Sequence, residues 1–265
     1  MKFTVHVVIK NEDRWIWFAL QSILPFAEKV LIFDTGSTDR TVEVVKFLQS
    51  SKITFEGKGP VDRKGLVRLR QEQIDRTGTE WFLILDGDEI WPERELKKLL
   101  KAAETSEKHI AALVNRNRNC VGDVYHYLPE TSGKYSLGGK VGSLTIRMLR
   151  KTPGLKISGE YPLESYADKN GPVEKQDNNL QFVDCWYLHA SFLQRSSMDQ
   201  SKLSGSFGRK KIWERGLKMK EAELPEVLFE NGPSQSGNPL AKRGIWYELL
   251  AYLFTPFISL KRMLR

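Results

Sequence analysis

Trp81-Phe82-Leu83-Ile84-Leu85-Asp86-Gly87-Asp88-Glu89 sets five consecutive apolar residues directly before a cluster of acids around one glycine. An apolar run of this length without alternation reads as a strand buried on both faces, as in a parallel sheet. The acids then fall where that strand ends. The same pattern occurs twice upstream. Residues 3–9 run into Lys10-Asn11-Glu12, and residues 30–33 run into Asp34-Thr35-Gly36-Ser37-Thr38-Asp39. In open α/β sheets, ligands bind in the crevice outside the carboxyl ends of the strands, so three clusters at three strand ends predict one shared site. Acids concentrated there predict a metal ion as well as a ligand.

Between the strands, residues 15–24, 38–49, 65–76 and 92–105 carry apolar side chains at helical spacing, such as Leu96, Leu99 and Leu100 in the last of them. With a weak third strand, the order is β-α-β-α-β-α-β-α. This is an α/β fold with a mostly parallel sheet flanked by helices. From 111 to 187 the pattern changes to strand-like pieces at 111–116, 141–149 and 181–188, broken by Gly and Pro. They read as mixed or antiparallel additions forming a smaller β region. Residues 117–142 hold Tyr125, Tyr127 and Tyr135 among glycines and polar residues and read as a mobile loop. Residues 231–239 read as a linker, and no internal repeat is present.

A chain of 265 residues with 40% hydrophobic and 28% charged content can bury a full core in one large domain, or in one domain with a tail. Met1 to Lys10 form a strand-like run without a basic leader, which predicts a cytoplasmic protein. Cys120 and Cys185 lie far apart without metal-ligand spacing and read as reduced thiols. The net charge of +8 admits nucleic acid, an anionic membrane or a phosphorylated substrate as partner. Much of the excess follows residue 201, at Arg209-Lys210-Lys211, Arg215, Lys218, Lys220, Lys242-Arg243, Lys261-Arg262 and Arg265. Nucleic acid is disfavoured, because the acidic clusters repel phosphate unless a cation intervenes. Residues 244–260 are apolar and aromatic between basic flanks, but contain Glu248 and Pro256 and are too short and interrupted to span a bilayer. Two readings stay open: an in-plane interfacial helix on an anionic membrane surface, or a terminal helix packed on the domain.

Val8-Ile9-Lys10-Asn11-Glu12, Asp34-Thr35-Gly36-Ser37-Thr38-Asp39-Arg40-Thr41 and Leu85-Asp86-Gly87-Asp88-Glu89 resemble, in order, the successive motifs of family 2 glycosyltransferases, which are inverting enzymes of GT-A fold. The resemblance is strongest over the first 90 residues, extends more weakly to His189 and hardly touches the tail. It implies a GT-A domain over 1–200, with a nucleotide-sugar-binding half at 1–110 and an acceptor-side half at 111–200. A basic helical extension follows at 201–265. It also implies a divalent metal, Mn²⁺ or Mg²⁺, to neutralise the diphosphate leaving group.

By the same resemblance Asp88 ligates the metal and Asp86 lies near the ribose or metal. Gly87 lets the backbone turn so that both carboxylates face the crevice. Asp34 accepts hydrogen bonds from the nucleobase, often uracil, and Lys10, Asn11 and Glu12 take the other base- and ribose-facing positions. Ser37 is placed on the nucleotide-sugar side, although Ser37 and Thr38 also suit a helix N-cap with Asp39 in the first turn. Arg70, in Leu66-Val67-Arg68-Leu69-Arg70-Gln71, falls at the family's arginine and would pair with nucleotide or phosphate, whereas Arg68 reads as a solvated helix residue. An inverting transferase needs a base for the acceptor hydroxyl. Gly159-Glu160-Tyr161-Pro162-Leu163-Glu164 resembles the stretch that supplies it, which assigns the role to Glu164, with Glu160 or Glu89 in reserve. His189 resembles the family's late histidine and would offer the metal an imidazole. His6 reads as core, and His109 and His126 as surface.

The reading is a metal-dependent inverting glycosyltransferase, peripheral on the cytoplasmic membrane face. It would move a sugar from a nucleotide diphosphate donor, a UDP-sugar foremost, to a glycan or lipid-linked acceptor. Its rivals are a nucleotidyltransferase of similar fold, a glycosidase with paired carboxylates, and a non-catalytic nucleotide-binding protein that docks on membranes. A nucleotidyltransferase should carry a Gly-rich phosphate loop where this chain has Lys10-Asn11-Glu12.

Overall fold

A computed structural model describes residues 1–198 and 213–264. Arg209, Lys210, Lys211 and Arg265 of the basic excess, and the start of the 201–265 extension, lie outside the described residues. The first half runs β1 (Phe3–Ile9), α1 (Ile16–Ile23), β2 (Lys29–Asp34), α2 (Thr41–Phe47), β3 (Ile53–Gly57), α3 (Arg63–Asp75), β4 (Trp81–Leu85), a two-residue β5 (Glu89–Ile90) and α4 (Glu93–Thr105). The second half holds β6 (Ala112–Val121), β7 (Asp123–Tyr127), β8 (Tyr135–Leu137), β9 (Lys140–Gly142), β10 (Leu144–Arg150), β11 (Lys156–Ser158), β12 (Ser165–Asp168), β13 (Gly171–Pro172), β14 (Leu180–His189), β15 (Leu217–Lys218) and α5 (Ile245–Met263).

The main sheet has the order β15-β7-β6-β10-β4-β1-β2-β3, with β14 alongside β6 and β5. Strands β4, β1, β2 and β3 are parallel, and β10 joins them antiparallel to both β4 and β6. In the register, Ile9 lies opposite Asp34 and Val7 opposite Leu85, so the residues after β1, β2 and β4 emerge along one edge. Both faces of these strands are covered. Val5, Val7, Leu83 and Leu85 pack into one apolar layer with Phe18, Leu20 and Leu96 of α1 and α4. Phe82 and Ile84 point the other way, toward Ile74 of α3. A fully buried apolar side chain contributes about 1.5–3 kcal/mol, and these runs supply many of them. This is why they form strands in spite of lacking alternation.

Three expectations change. Residues 117–142 are not a loop, because β6 continues to Val121 and turns back at Gly122, whose φ of +78° suits glycine, into β7. Cys120, Val121 and Val124 are buried there, and β8 and β9 make a second small hairpin. Polar residues obscured this hairpin because only one of its faces is covered. Helix α2 starts at Thr41 and not at residue 38, since Asp39 Oδ1 accepts from the Thr41 backbone N–H at 2.9 Å while Ser37 turns to Asp34. Residues 231–239 are packed down: Ser236 is buried, and a side chain at Gly232 would meet Trp17 at 3.1 Å. Both cysteines are free and buried. Helix α5 packs on the domain through Ala251 and an Arg262–Glu214 ion pair of 2.9 Å, and leaves its other face exposed. Among the described residues no helix is long and apolar enough to cross a membrane.

His6 is a core residue, stacked on Phe82 at 4.4 Å with Nε2 at 2.6 Å from Thr77 Oγ1. Burial, with the charges of Arg70 and Lys151 adding to it, lowers its pKa to about 3. The unfolded chain therefore takes a proton on His6 below its ordinary value of about 6.5 while the folded one does not, so stability falls as pH drops through that window. Between pH 7.5 and 5 this should remove about 2 kcal/mol from the unfolding free energy. Urea melts across that range should show a shallower slope in His6→Gln, and an unchanged slope would contradict a neutral buried imidazole.

Candidate active site

The first two clusters interlock at the ends of β1 and β2. Asn11 adopts a φ of +55°, which asparagine tolerates better than most residues. Its N–H donates to Ser37 Oγ at 2.9 Å, and its Oδ1 accepts from Thr38 N–H at 2.7 Å. Asp34 Oδ2 accepts from the N–H groups of Gly36 and Ser37 at 3.1 Å each, and the Ser37 hydroxyl donates to Asp34 Oδ1. Glu12 is buried, its N–H donates to Thr41 Oγ1 at 2.7 Å, and its carboxylate meets Arg195 at 3.3 Å. Lys10 is exposed.

The third cluster closes against the first through Gly87. A Cβ there would lie 2.8 Å from Glu12 Cγ, and the backbone is not in the positive-φ region. Gly87 lies in a turn closed by the Glu89 N–H donating to the Asp86 carbonyl at 3.1 Å, and its missing side chain also permits this close approach. Asp88, 2% exposed, places Oδ1 at 3.3 Å from His189 Nε2, and its carbonyl accepts from Ala190 N–H at 2.9 Å. Burial alone would lower the His189 pKa, but the neighbouring carboxylates of Asp88, Glu89 and Asp86 outweigh it and raise the value.

Arg147 was not anticipated. Its guanidinium donates to Asp86 Oδ2 at 2.9 Å and, from Nε, to Glu89 Oε1 at 3.1 Å. Glu89 is 0% exposed, and burial raises its pKa against the pull of Arg147. The register of β10 slips between Ile146 and Met148, so Arg147 is the extra residue of a bulge, a feature that re-aims a side chain. The available signal was an arginine inside the strand-like Leu144-Thr145-Ile146-Arg147-Met148-Leu149. Arg70, on α3, sets Nε at 3.4 Å from Glu164 Oε1, while Glu164 Oε2 is buried without a hydrogen-bond partner.

Arg70, Asp86, Arg147, Glu164, Tyr166 and His189 share the wall of one cavity of about 890 Å³. Asp88 stands behind His189. Lys10, Asn11, Glu12, Asp34, Ser37 and Gly87 are not part of that wall and stand at the ends of β1, β2 and β4. Of the reserve bases, Glu89 is sealed beneath Arg147 and Glu160 is exposed. No three His, Cys, Asp or Glu side chains converge as a ready-made cage among the described residues. A carboxylate and an imidazole side by side still suit a divalent cation that completes its shell on substrate phosphates.

Residues 4–156 match the family model for Glycosyl transferase family 2. The chain belongs to glycosyl transferase family 2. The matched span carries all three clusters and Arg147, while Glu164 and His189 lie beyond it. The chain is 23% identical over 145 residues to the SPbeta prophage-derived glycosyltransferase SunS of Bacillus subtilis (strain 168), covering 52% of this chain and 32% of that protein. It is 27% identical over 117 residues to an uncharacterized glycosyltransferase of Rickettsia bellii (strain RML369-C), covering 44% and 35%. It thus spans about a third of the length of these curated relatives. Among solved structures, S. aureus TarS 1-349 in complex with UDP-GlcNAc is similar at a TM-score of 0.49 and 17% identity, over 71% of this chain and 58% of that chain. Glucosyl-3-phosphoglycerate synthase from Mycobacterium tuberculosis in complex with Mn²⁺ and UDP-glucose gives 0.35 and 20%, over 44% of each chain.

Removing one partner of a buried ion pair strands the other charge, which costs about 3–5 kcal/mol. Arg147→Met should therefore destabilise the protein by that amount in urea melts. Adding Glu89→Leu should recover much of the loss. Equal instability of the single and double variants would show that the pair is not what Arg147 supports.

Proposed function

We propose that this protein is a metal-dependent inverting glycosyltransferase that moves a sugar from a nucleotide diphosphate donor, a UDP-sugar in the first instance, to a glycan or lipid-linked acceptor. The observation that carries the reading is the single cavity whose wall combines Arg70, Asp86, Arg147, Glu164 and His189 at the carboxyl edge of a parallel sheet. Asp88 and His189 would hold a divalent cation, Mn²⁺ or Mg²⁺, whose charge offsets that growing on the diphosphate as the glycosidic bond breaks.

The remaining work falls to this chain's own groups. Arg147 holds Asp86 by one oxygen and leaves the other for a ribose hydroxyl or the metal. Arg70 offers guanidinium donors to a phosphate oxygen. Lys10, Asn11, Glu12, Asp34 and Ser37 form the nucleoside side. Asp34 retains lone pairs for a nucleobase N–H beyond its loop donors, since a carboxylate has about four acceptor sites. Glu164 takes the acceptor proton at Oε2, the oxygen without a hydrogen-bond partner, while Oε1 rests on Arg70 and orients the carboxylate. The acceptor oxygen then attacks the anomeric carbon from the face opposite the departing diphosphate.

Thermal-shift titration with UDP, GDP, CMP and dTDP, each with Mn²⁺ and with EDTA, tests the donor site. UDP with metal should raise the melting temperature, since a ligand at 100 times its Kd adds about 2.7 kcal/mol, and Asp88→Ala should abolish the rise. No shift with any nucleotide would overturn the reading. Glu164→Gln should lower turnover by about 10²–10⁴ with the UDP shift retained. Unchanged turnover would move the base elsewhere.

A further inference from the structure

Helix α5 carries Trp246, Leu249, Leu253, Phe257 and Leu260 on one side, and Leu264 just past its end continues the row, all exposed, with Trp246 at 76% and Phe257 at 72%. At 3.6 residues per turn these six fall within about 80° of arc. The opposite side is the anchored one. Ala251 is buried, the Thr255 hydroxyl accepts from Arg215 N–H at 2.9 Å, Tyr247 packs at a tilt against Trp213 with ring centroids 5.1 Å apart, and Arg262 pairs with Glu214. The apolar face is therefore held outward by a fixed contact. An exposed apolar stripe this large marks an interaction surface.

Its charge surroundings identify the partner. Exposed Lys242 and Lys261 stand at the two ends of the helix, and exposed Arg215 lies 5.8 Å from the Tyr252 ring. The nearby acids are neutralised, Glu248 by Arg243 at 2.8 Å and Glu214 by Arg262 at 2.9 Å. An apolar stripe rimmed by unopposed cations complements an anionic bilayer surface. A second copy of the chain would bring the same cations face to face. Pro256, in the middle of the helix, removes a backbone hydrogen bond and frees a carbonyl, which suits the wet headgroup zone and not the hydrocarbon core.

We propose that α5 is an in-plane anchor that seats this protein on anionic membranes through its Trp246-to-Leu264 face. Arg262, on the anchored side of the same helix, also lines the large cavity, so seating α5 holds the cavity one helix diameter, roughly 10 Å, from the lipid surface. That orientation rests on the transferase reading and would select a lipid-linked acceptor. The docking itself does not depend on it.

Co-sedimentation of the whole chain with vesicles of phosphatidylcholine alone, and of phosphatidylcholine with a quarter phosphatidylglycerol, decides the matter. At roughly fivefold per cation, three cations predict on the order of 10²-fold tighter binding to the anionic vesicles, declining with salt. Trp246→Glu/Leu253→Glu/Phe257→Glu should abolish binding, and Lys242→Gln/Lys261→Gln should erase most of the lipid preference. Both variants should keep the melting temperature and its response to UDP. Absence of binding, binding indifferent to lipid charge, or binding that survives the triple variant would overturn the anchor. So would a dimer in solution that the triple variant dissociates, because the face would then belong to a second copy. A retained UDP shift with failed vesicle binding removes the anchor and leaves the donor site intact, whereas the converse removes the donor site and leaves the anchor.

Discussion

The parallel register of β1, β2 and β4 is the constraint on which the rest depends. Both faces of these strands are buried by helices, so a charged side chain within them would need burial without water. Polar chemistry is thereby confined to the strand ends. Because Ile9 pairs with Asp34 and Val7 with Leu85, the three ends come out together. A slip of one residue would turn each apolar set over and move the acids out of line. The same apolar contacts that stabilise the sheet therefore fix where Asp34, Asp86 and Asp88 stand.

Bringing acids together creates an electrostatic problem that β10 resolves. Asp86, Asp88 and Glu89 follow one another closely, and Glu89 is fully buried. Arg147 from the neighbouring antiparallel strand binds Asp86 and Glu89 at once, while His189 from β14 meets Asp88. Each acid thus has a cationic or imidazole neighbour contributed by the second half of the chain. The bulge at Arg147 and the register that sets His189 opposite Glu89 are the structural means. The donor-side motifs and the groups that counterbalance them come from different parts of the sequence, although they form one wall.

The surface of α5 follows a different logic. Its inner side is tied to the domain by a few specific contacts, and its outer side is left apolar between cations. A helix that only completed the core would turn its aromatic residues inward. Here Trp246 and Phe257 point away from the domain that holds the helix in place. The sharing of Arg262 between that helix and the large cavity links this surface to the site.

By itself the sequence determined the parallel α/β core, the three strand-end clusters, the core position of His6, the unpaired state of both cysteines, and membership of a glycosyltransferase family. Long apolar runs and their polar terminators are local signals, and burial of those runs follows from their composition. Tertiary structure decided what depends on long-range register. It sealed Glu89 under Arg147, gave Ser37 to Asp34 in place of a helix cap, and set Gly87 against Glu12. It also folded residues 117–142 into hairpins and turned one face of α5 outward. A bulge or a one-residue slip carries no compositional mark, so the partners it creates become visible only when the strands are paired.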